Sequence, residues 1–278
     1  MIIQHDEDLD GPLNAGSLTA RVAVVTGAGS RDGVIGNGSA ASVMLSRRGA
    51  TVVIVDNDPV AAASTARLLE RHGGLCSIVV ADVSQEADCR DIAEEVAKRW
   101  GRFDILVNNV GIRGPAGNAI DVSGDDWDRL MQVNVKSMML MAKSCLPSMI
   151  LRRSGTIINV SSTAGIRGGH PDLAYPTSKG AIMSLTQAMA AHHGPQGVRV
   201  NCVAPGPVYT PMAIDEGVDE RVRTRRRDSV PLRKEGTGWD VGMAVAWLAS
   251  DEARWVTGMV LPIDGGLTSS RGVSWWSR

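Results

Sequence analysis

The stretch Val22-Ala23-Val24-Val25-Thr26-Gly27-Ala28-Gly29-Ser30-Arg31-Asp32-Gly33-Val34-Ile35-Gly36-Asn37-Gly38 runs from a β-branched apolar segment into a glycine-rich turn. A helical pattern from Ala40 to Arg48 follows, then a second apolar run, Val52-Val53-Ile54-Val55, closed by Asp56. Strand, glycine turn, helix, strand is the order of a unit that holds an anion. Glycines let the backbone approach a pyrophosphate, which then meets the free N–H groups and positive dipole end of the next helix. A carboxylate ending the second strand, about 20 residues on, can accept hydrogen bonds from ribose hydroxyls and repels a 2′-phosphate. The bland alternative for Asp56 is a turn residue, since Asn57, Asp58 and Pro59 start a helix.

Outward from this unit the alternation continues. Ser77-Ile78-Val79-Val80 precedes a helical pattern from Asp88 to Trp100, and Ile105-Leu106-Val107 precedes a long helical stretch near 126–152. Thr156-Ile157-Ile158-Asn159-Val160 leads to a helix at about 176–192, then Val198-Arg199-Val200-Asn201-Cys202-Val203 and a last strand near 259–263. Strands apolar on both faces and joined by helices imply a parallel sheet covered on both sides. The expected fold is α/β: a single doubly wound, Rossmann-type parallel sheet with helices on both faces. Residues 1–17 read as a loose acidic extension and 18–278 as one dinucleotide-binding and catalytic domain. The stretch 207–238 departs from the alternation, carrying Pro207, Pro211, Pro231 and the arginines 221, 223, 225, 226 and 227. A long excursion at the carboxyl ends of strands is expected to cover a ligand as a lid.

Composition narrows the partner. The chain has 278 residues with 29 Lys plus Arg against 30 Asp plus Glu, so its formal charge of −1 offers no general attraction to nucleic acid or anionic membranes. No stretch reaches the ~18 uninterrupted apolar residues of a membrane span, and the first residues lack the basic and apolar regions of a secretory signal. Cys76, Cys89, Cys145 and Cys202 are scattered without a C-x-x-C pair, which points to reduced thiols in a cytoplasmic protein and to no metal site. A small molecule is the expected partner.

The chain has only two tyrosines, and one of them opens Tyr175-Pro176-Thr177-Ser178-Lys179, downstream of the strand-ending Ser161-Ser162-Thr163. A phenol holds its proton to pH ~10, and an ammonium beside it favours the phenolate. Pro176 suits a first helical turn, which puts Tyr175 at a helix start and Lys179 one turn along. Such a pair can move a proton; an ordinary packed helix would show the same spacing.

Thr26-Gly27 with its loop, Asp82-Val83, Asn108-Asn109-Val110-Gly111, Asn134, Ser162, Tyr175-x-x-x-Lys179, Pro205-Gly206-Pro207-Val208-Tyr209-Thr210 and Asp264-Gly265-Gly266 occur in that order. Together they closely resemble the classical short-chain dehydrogenase/reductase family over about residues 18–267. The resemblance implies an NAD(H)-dependent oxidoreductase interconverting a secondary alcohol and a ketone, with Asn134, Ser162, Tyr175 and Lys179 catalytic. It assigns Gly27, Gly29, Ile35 and Gly36 to the dinucleotide loop, Asp82 and Val83 to the adenine edge, and Asn109 and Gly111 to the ribose wall. Tyr175 and Lys179 would border the nicotinamide ribose, and Val208 and Thr210 its carboxamide. Asn134 would interrupt its helix and hold a water touching the lysine. A homo-oligomer, with a tetramer favoured, is also implied.

Departures and alternatives stand beside this. The glycine loop is longer than the family's; Ile35-Gly36 is taken as its closing pair because Ile35 can plug the core under the helix, with Gly36-Asn37-Gly38 the alternative. Asp56 favours NAD over NADP, whereas Arg31 could meet a 2′-phosphate. The alternatives in function are an NADP(H)-dependent ketoreductase of the same family and a dinucleotide sensor without chemistry. His170 lies between Ser162 and Tyr175, and its two readings are a substrate contact and a plain loop residue. The arginines 221–227 are read as a solvated or inter-subunit surface, or as facing an anionic substrate. Trp275 and Trp276 are expected to pack on a neighbouring subunit or on the lid.

Overall fold

A computed structural model describes residues 14–31, 33–215 and 217–270. The expectation for Trp275 and Trp276, and most of the acidic extension, lie outside those residues.

The chain runs β1 (Val22–Thr26), α1 (Asn37–Arg47), β2 (Thr51–Asp56), α2 (Pro59–Glu70), β3 (Cys76–Val80), α3 (Glu86–Trp100) and β4 (Ile105–Asn108). Then come α4 (Gly124–Met131), α5 (Ser137–Leu151), β5 (Gly155–Val160), α6 (Ala174–His193), β6 (Val198–Pro205) and β7 (Val208–Tyr209). The last elements are α7 (Pro211–Asp215), α8 (Glu220–Asp228), β8 (Gly236–Thr237), α9 (Gly238–Ala249) and β9 (Val260–Ile263). Seven strands form one sheet in the order β3-β2-β1-β4-β5-β6-β9, every pair parallel.

Alternation along each strand explains why the apolar runs are continuous. Ala23, Val25, Val52, Ile54, Ile158 and Val160 pack with α1, α2 and α9, while Val22, Val24, Val53, Val55 and Ile157 pack with α3, α5 and α6. Both sheet faces are therefore core, as the fold class requires. The order of strands reverses between β1 and β4, and in open α/β sheets a ligand crevice opens at such a switch point, outside the carboxyl ends of the strands.

Three local features add to the sequence reading. The helical stretch near 126–152 is interrupted at Asn134, as the resemblance implied: a π-helical turn at Gln132–Lys136 lies between α4 and α5. Asn14–Ser17 form a turn tied to the body, with the Ala15 carbonyl accepting from the N–H groups of Asp251 and Glu252. The excursion 207–238 contains α7, α8 and a two-stranded parallel ribbon, β7 with β8.

Candidate active site

The glycine turn leaves β1 and reaches α1 at Asn37, with Gly36 as the extended N-cap residue. A Cβ on Gly38 would lie 2.3 Å from the Gly27 carbonyl oxygen and 2.5 Å from Asn109 Nδ2, so only glycine lets the first helical turn close on the loop. At Gly36 the nearest atom to an added Cβ is 3.6 Å away, on Pro211. Ile35 is half-buried and is not among the side chains packed against the sheet clusters, so it does not plug the core. The packing that distinguishes the two alignments thus favours Gly36-Asn37-Gly38. The sequence reading held Gly38 only as the alternative to Ile35-Gly36, because glycines two apart look alike until their neighbours are known. The extra length is taken up by a turn in which Val34 N–H donates to the Arg31 carbonyl at 3.0 Å.

No acceptor among the described residues meets the N–H groups of Asn37, Gly38 and Ser39. Orphan donors at a helix start favour an anion there. Opposite them, Asp56 is held at the end of β2 by Gly29 N–H on Oδ2 at 2.7 Å and Asp58 N–H on Oδ1 at 3.0 Å. Arg31 lies 3.5 Å from Asp58 and is half-exposed. Asn109 Nδ2 donates to the Gly27 carbonyl at 2.7 Å, which ties the end of β4 to the loop. Asp82 accepts from Ser84 N–H at 3.0 Å just past β3, and Val83 beside it is buried. These residues fit a dinucleotide: donors for a pyrophosphate at α1 and a fixed carboxylate for a ribose on the neighbouring strand.

Further along the crevice, Ser161 directly follows β5, and its Oγ donates to the Lys179 carbonyl at 2.6 Å. That bond joins β5 to α6 where the catalytic candidates stand. Ser162 follows, extended, its Oγ accepting from Ala164 N–H at 3.1 Å, which leaves the hydroxyl proton for another acceptor. The turn after it crosses α6 so closely that a Cβ on Gly165 would meet Gly180 N at 2.6 Å. Neither Ser161 nor Gly165 was singled out from the sequence; both act through backbone contacts that residue type alone does not announce.

Tyr175 is the second residue of α6, and Lys179 Nζ lies 5.6 Å from the centroid of its ring. Lys179 is buried, its Nζ donating to the Val160 carbonyl at 3.2 Å, and burial pulls its pKa down from 10.5 to about 8. Asn134, in the π-helical turn, accepts from Ile112 N–H at 2.7 Å and donates to the Ile112 carbonyl at 2.8 Å and to Ser178 Oγ at 3.0 Å. Ser178 Oγ in turn donates to the Tyr175 carbonyl at 2.7 Å. A Cβ on Gly111 would be 3.2 Å from Lys179 Nζ and 3.4 Å from Asn134 Oδ1, so Gly111 lies against both groups. The structure therefore brings Gly111, Asn134, Ser162, Tyr175 and Lys179 to one place, at the carboxyl ends of β4 and β5.

Around this group, the His170 ring lies 5.2 Å from the Tyr175 ring. Its Nδ1 accepts from Asp172 N–H at 3.3 Å, and the Asp172 carboxylate, buried, pairs with Arg113 at 2.8 Å. Val208 and Thr210 stand where the excursion begins, and Pro211 next to them faces Gly36. The arginines of α8 are divided. Arg227 pairs with Glu220, while Arg223 and Arg226 both pair with the buried Glu235. Those two are held in ion pairs within the excursion, their side chains 33% and 21% exposed.

A seven-stranded parallel sheet with a dinucleotide crevice and a Ser-Tyr-Lys-Asn group defines an oxidoreductase acting on alcohols and ketones with a nicotinamide dinucleotide, NAD(P). Comparison with known proteins agrees. The family model described as enoyl-(acyl carrier protein) reductase matches residues 27–268. The chain is 34% identical over 250 residues to 3-oxoacyl-(acyl-carrier-protein) reductase of Thermotoga maritima, covering 90% of this chain and 98% of that one. It is 36% identical to meso-2,3-butanediol dehydrogenase of Serratia marcescens, over 91% of this chain and 96% of that one. A gluconate 5-dehydrogenase from Burkholderia cenocepacia, solved with NADP and tartrate, superposes with TM-score 0.85 at 31% identity, covering 93% and 99% of the two chains. The chain belongs to the short-chain dehydrogenase/reductase family.

Proposed function

We propose that the chain is an NAD(H)-dependent dehydrogenase/reductase of secondary alcohols and ketones, with Tyr175 as the general acid and base. The observation that carries the reading is the placement of buried Lys179 against the Tyr175 ring, on the helix that Ser161 ties to β5. A bound nicotinamide supplies or accepts the hydride. Ser162 donates its hydroxyl proton to the substrate oxygen and holds it beside Tyr175. The tyrosine gives that oxygen a proton in reduction and removes one in oxidation, and the positive charge of Lys179 favours the phenolate. Asn134 holds the helix start through Ser178 and fixes the 110–112 segment through Ile112. In this reading it also holds a water beside the lysine for proton resupply.

The coenzyme is held by the N–H groups at the start of α1, with Gly27, Gly29, Ile35 and Gly36 in the loop. Asp82 and Val83 border the adenine, Asn109 and Gly111 the ribose wall, and Val208 and Thr210 the carboxamide. Asp56 supports NAD: a carboxylate there suits free ribose hydroxyls and opposes a 2′-phosphate. Arg31 beside Asp58, and the NADP in the gluconate 5-dehydrogenase structure, favour the second reading, an NADP(H) enzyme. The 207–238 excursion serves as the substrate lid. A homo-oligomer, with a tetramer favoured, is part of the same reading and is supported by Met139 and Leu151, exposed on α5. Four free cysteines accord with the cytoplasm.

The test is a panel of secondary alcohols and ketones run with NAD(H) and NADP(H), on wild type and Tyr175→Phe. Wild type is expected to turn over with NAD(H) preferred. Loss of a positioned acid-base group should cost Tyr175→Phe ~10²- to 10⁴-fold in kcat while NADH still binds. Wild-type turnover in that variant would overturn the mechanism, and a preference for NADP(H) would overturn the coenzyme assignment.

A further inference from the structure

We propose that Arg223, Glu235 and Arg226 form a latch that positions Val208–Thr210, so that these three side chains control the grip on the nicotinamide end of the dinucleotide. The proposal rests on the reading above that Val208 and Thr210 meet the carboxamide.

In the ribbon carrying those residues Val208 is buried in the core, while Tyr209 and Thr210 are only partly buried and depend more on what lies beside them. β7 and β8 are two residues each, and a two-stranded pairing that short is not stable alone. Helix α8 beside it buries none of its residues, so no apolar stripe docks it to the body. What joins α8 to the ribbon is charge and hydrogen bonding. Glu235 directly precedes β8 and its side chain is 4% exposed. Arg223 Nε donates to Glu235 Oε2 at 2.9 Å, and Arg226 Nε lies 3.0 Å from Oε1. Arg226 Nη2 also donates to the Val208 carbonyl at 2.8 Å, and the Arg223 guanidinium lies 4.0 Å over the Tyr209 ring. One buried carboxylate thus fixes two guanidinium groups, and each of those touches a residue of β7.

The direction of the effect follows from burial. Breaking a buried pair by removing one partner costs far more than breaking an exposed one, and loss of the Glu235 charge leaves Arg226 without a counter-charge and Arg223 with only the exposed Glu220, 3.7 Å away. The two arginines then turn toward water, and Val208 loses its bond to Arg226. The cluster touches no reacting atom, so these are positioning residues and not catalytic ones.

The test compares NADH with ADP-ribose, which shares the adenosine and pyrophosphate but lacks the nicotinamide. Affinities of both are measured calorimetrically for wild type, Glu235→Gln, Glu235→Asp and Arg226→Met. Glu235→Gln and Arg226→Met are expected to weaken NADH roughly tenfold, within the ordinary range of coupling between sites, with ADP-ribose nearly unchanged. Glu235→Asp should recover part of the loss. Unchanged NADH affinity in both variants overturns the latch. Equal weakening of both ligands also overturns it, because the damage is then to the whole crevice. If wild type binds NADH no more tightly than ADP-ribose, the carboxamide assignment fails first, and the latch has nothing to control.

Discussion

Lys179 sits where a charge is expensive. It is buried, with the Val160 carbonyl as its hydrogen-bond acceptor, and desolvation brings its pKa to about 8. At neutral pH it is still mainly protonated, which is the state able to favour the phenolate of Tyr175. The unfolded chain keeps its proton to about 10.5, so between about 8 and 10.5 the unfolded state binds more protons than the folded one. The lysine's contribution to folding stability therefore gains with rising pH across that window and forfeits the gain as pH falls through about 8. The expected amplitude is ~3 kcal/mol from a shift of this size. The contribution is read by chemical denaturation of the unliganded protein as the difference between wild type and Lys179→Met at each pH, because the buried Cys89, Cys145 and Cys202 thiols, whose pKa values burial raises, lower total stability over the upper part of the same window. Lys179→Met, which keeps the bulk and has no proton to bind, should lack the lysine's rise, and an identical pH profile in the two proteins would refute the assignment.

At the scale of elements, the glycine loop and α1 show what a sequence can and cannot carry. That a strand, a glycine turn, a helix and a carboxylate-ended strand follow one another was readable, because β-branched runs and helical spacing are local properties. The pair proposed to be catalytic stood out for a related reason: Tyr175 and Lys179 lie one helical turn apart, and tyrosine is rare in this chain. The closing glycine was not, since Gly36 and Gly38 differ only in how near Gly27 and Asn109 approach them. Nor was the latch, since Glu235 meets Arg223 and Arg226 only after α8 folds back over the ribbon. The glycine assignment is open to a direct check. Gly38→Ala should cost about 1–3 kcal/mol through forced backbone movement, partly offset by the better helix propensity of alanine, and should weaken NADH binding. Gly36→Ala has room for its methyl and should cost under ~1 kcal/mol by thermal denaturation. Equal losses at the two positions would mean that the loop closes differently.

On the scale of the whole molecule, the parallel sheet separates chemistry from cohesion. Asp56, Asn109 and Ser162 all lie at or just past the carboxyl ends of strands, and the opposite edge carries a different group. Asp104, buried just before β4, accepts from Val22 N–H at 2.8 Å, from Arg102 Nε at 2.7 Å and from Arg152 Nη2 at 3.1 Å. Its backbone bonds to Val22 and Thr156 on the two flanking strands, so one residue ties together β1, β4, β5 and the end of α5. Burial alone would raise its pKa, but the bond from Arg102, the Val22 N–H and the charges of Arg102 and Arg152 outweigh that and hold it below 3.8. A lowered carboxyl pKa contributes stability that is present above 3.8 and is lost as pH falls through the folded value. Asp104→Asn keeps the shape and removes the charge, leaving two arginines without their counter-ion. The expected cost is ~3 kcal/mol in denaturant unfolding at neutral pH, with a shallower loss of stability on the acid side. Because the site lies at the other end of the strands, kcat of the folded variant should match wild type. A fall in kcat at a temperature where the variant is fully folded would mean that the two edges of the sheet are coupled, and that the amino-terminal edge does more than hold the strands in register.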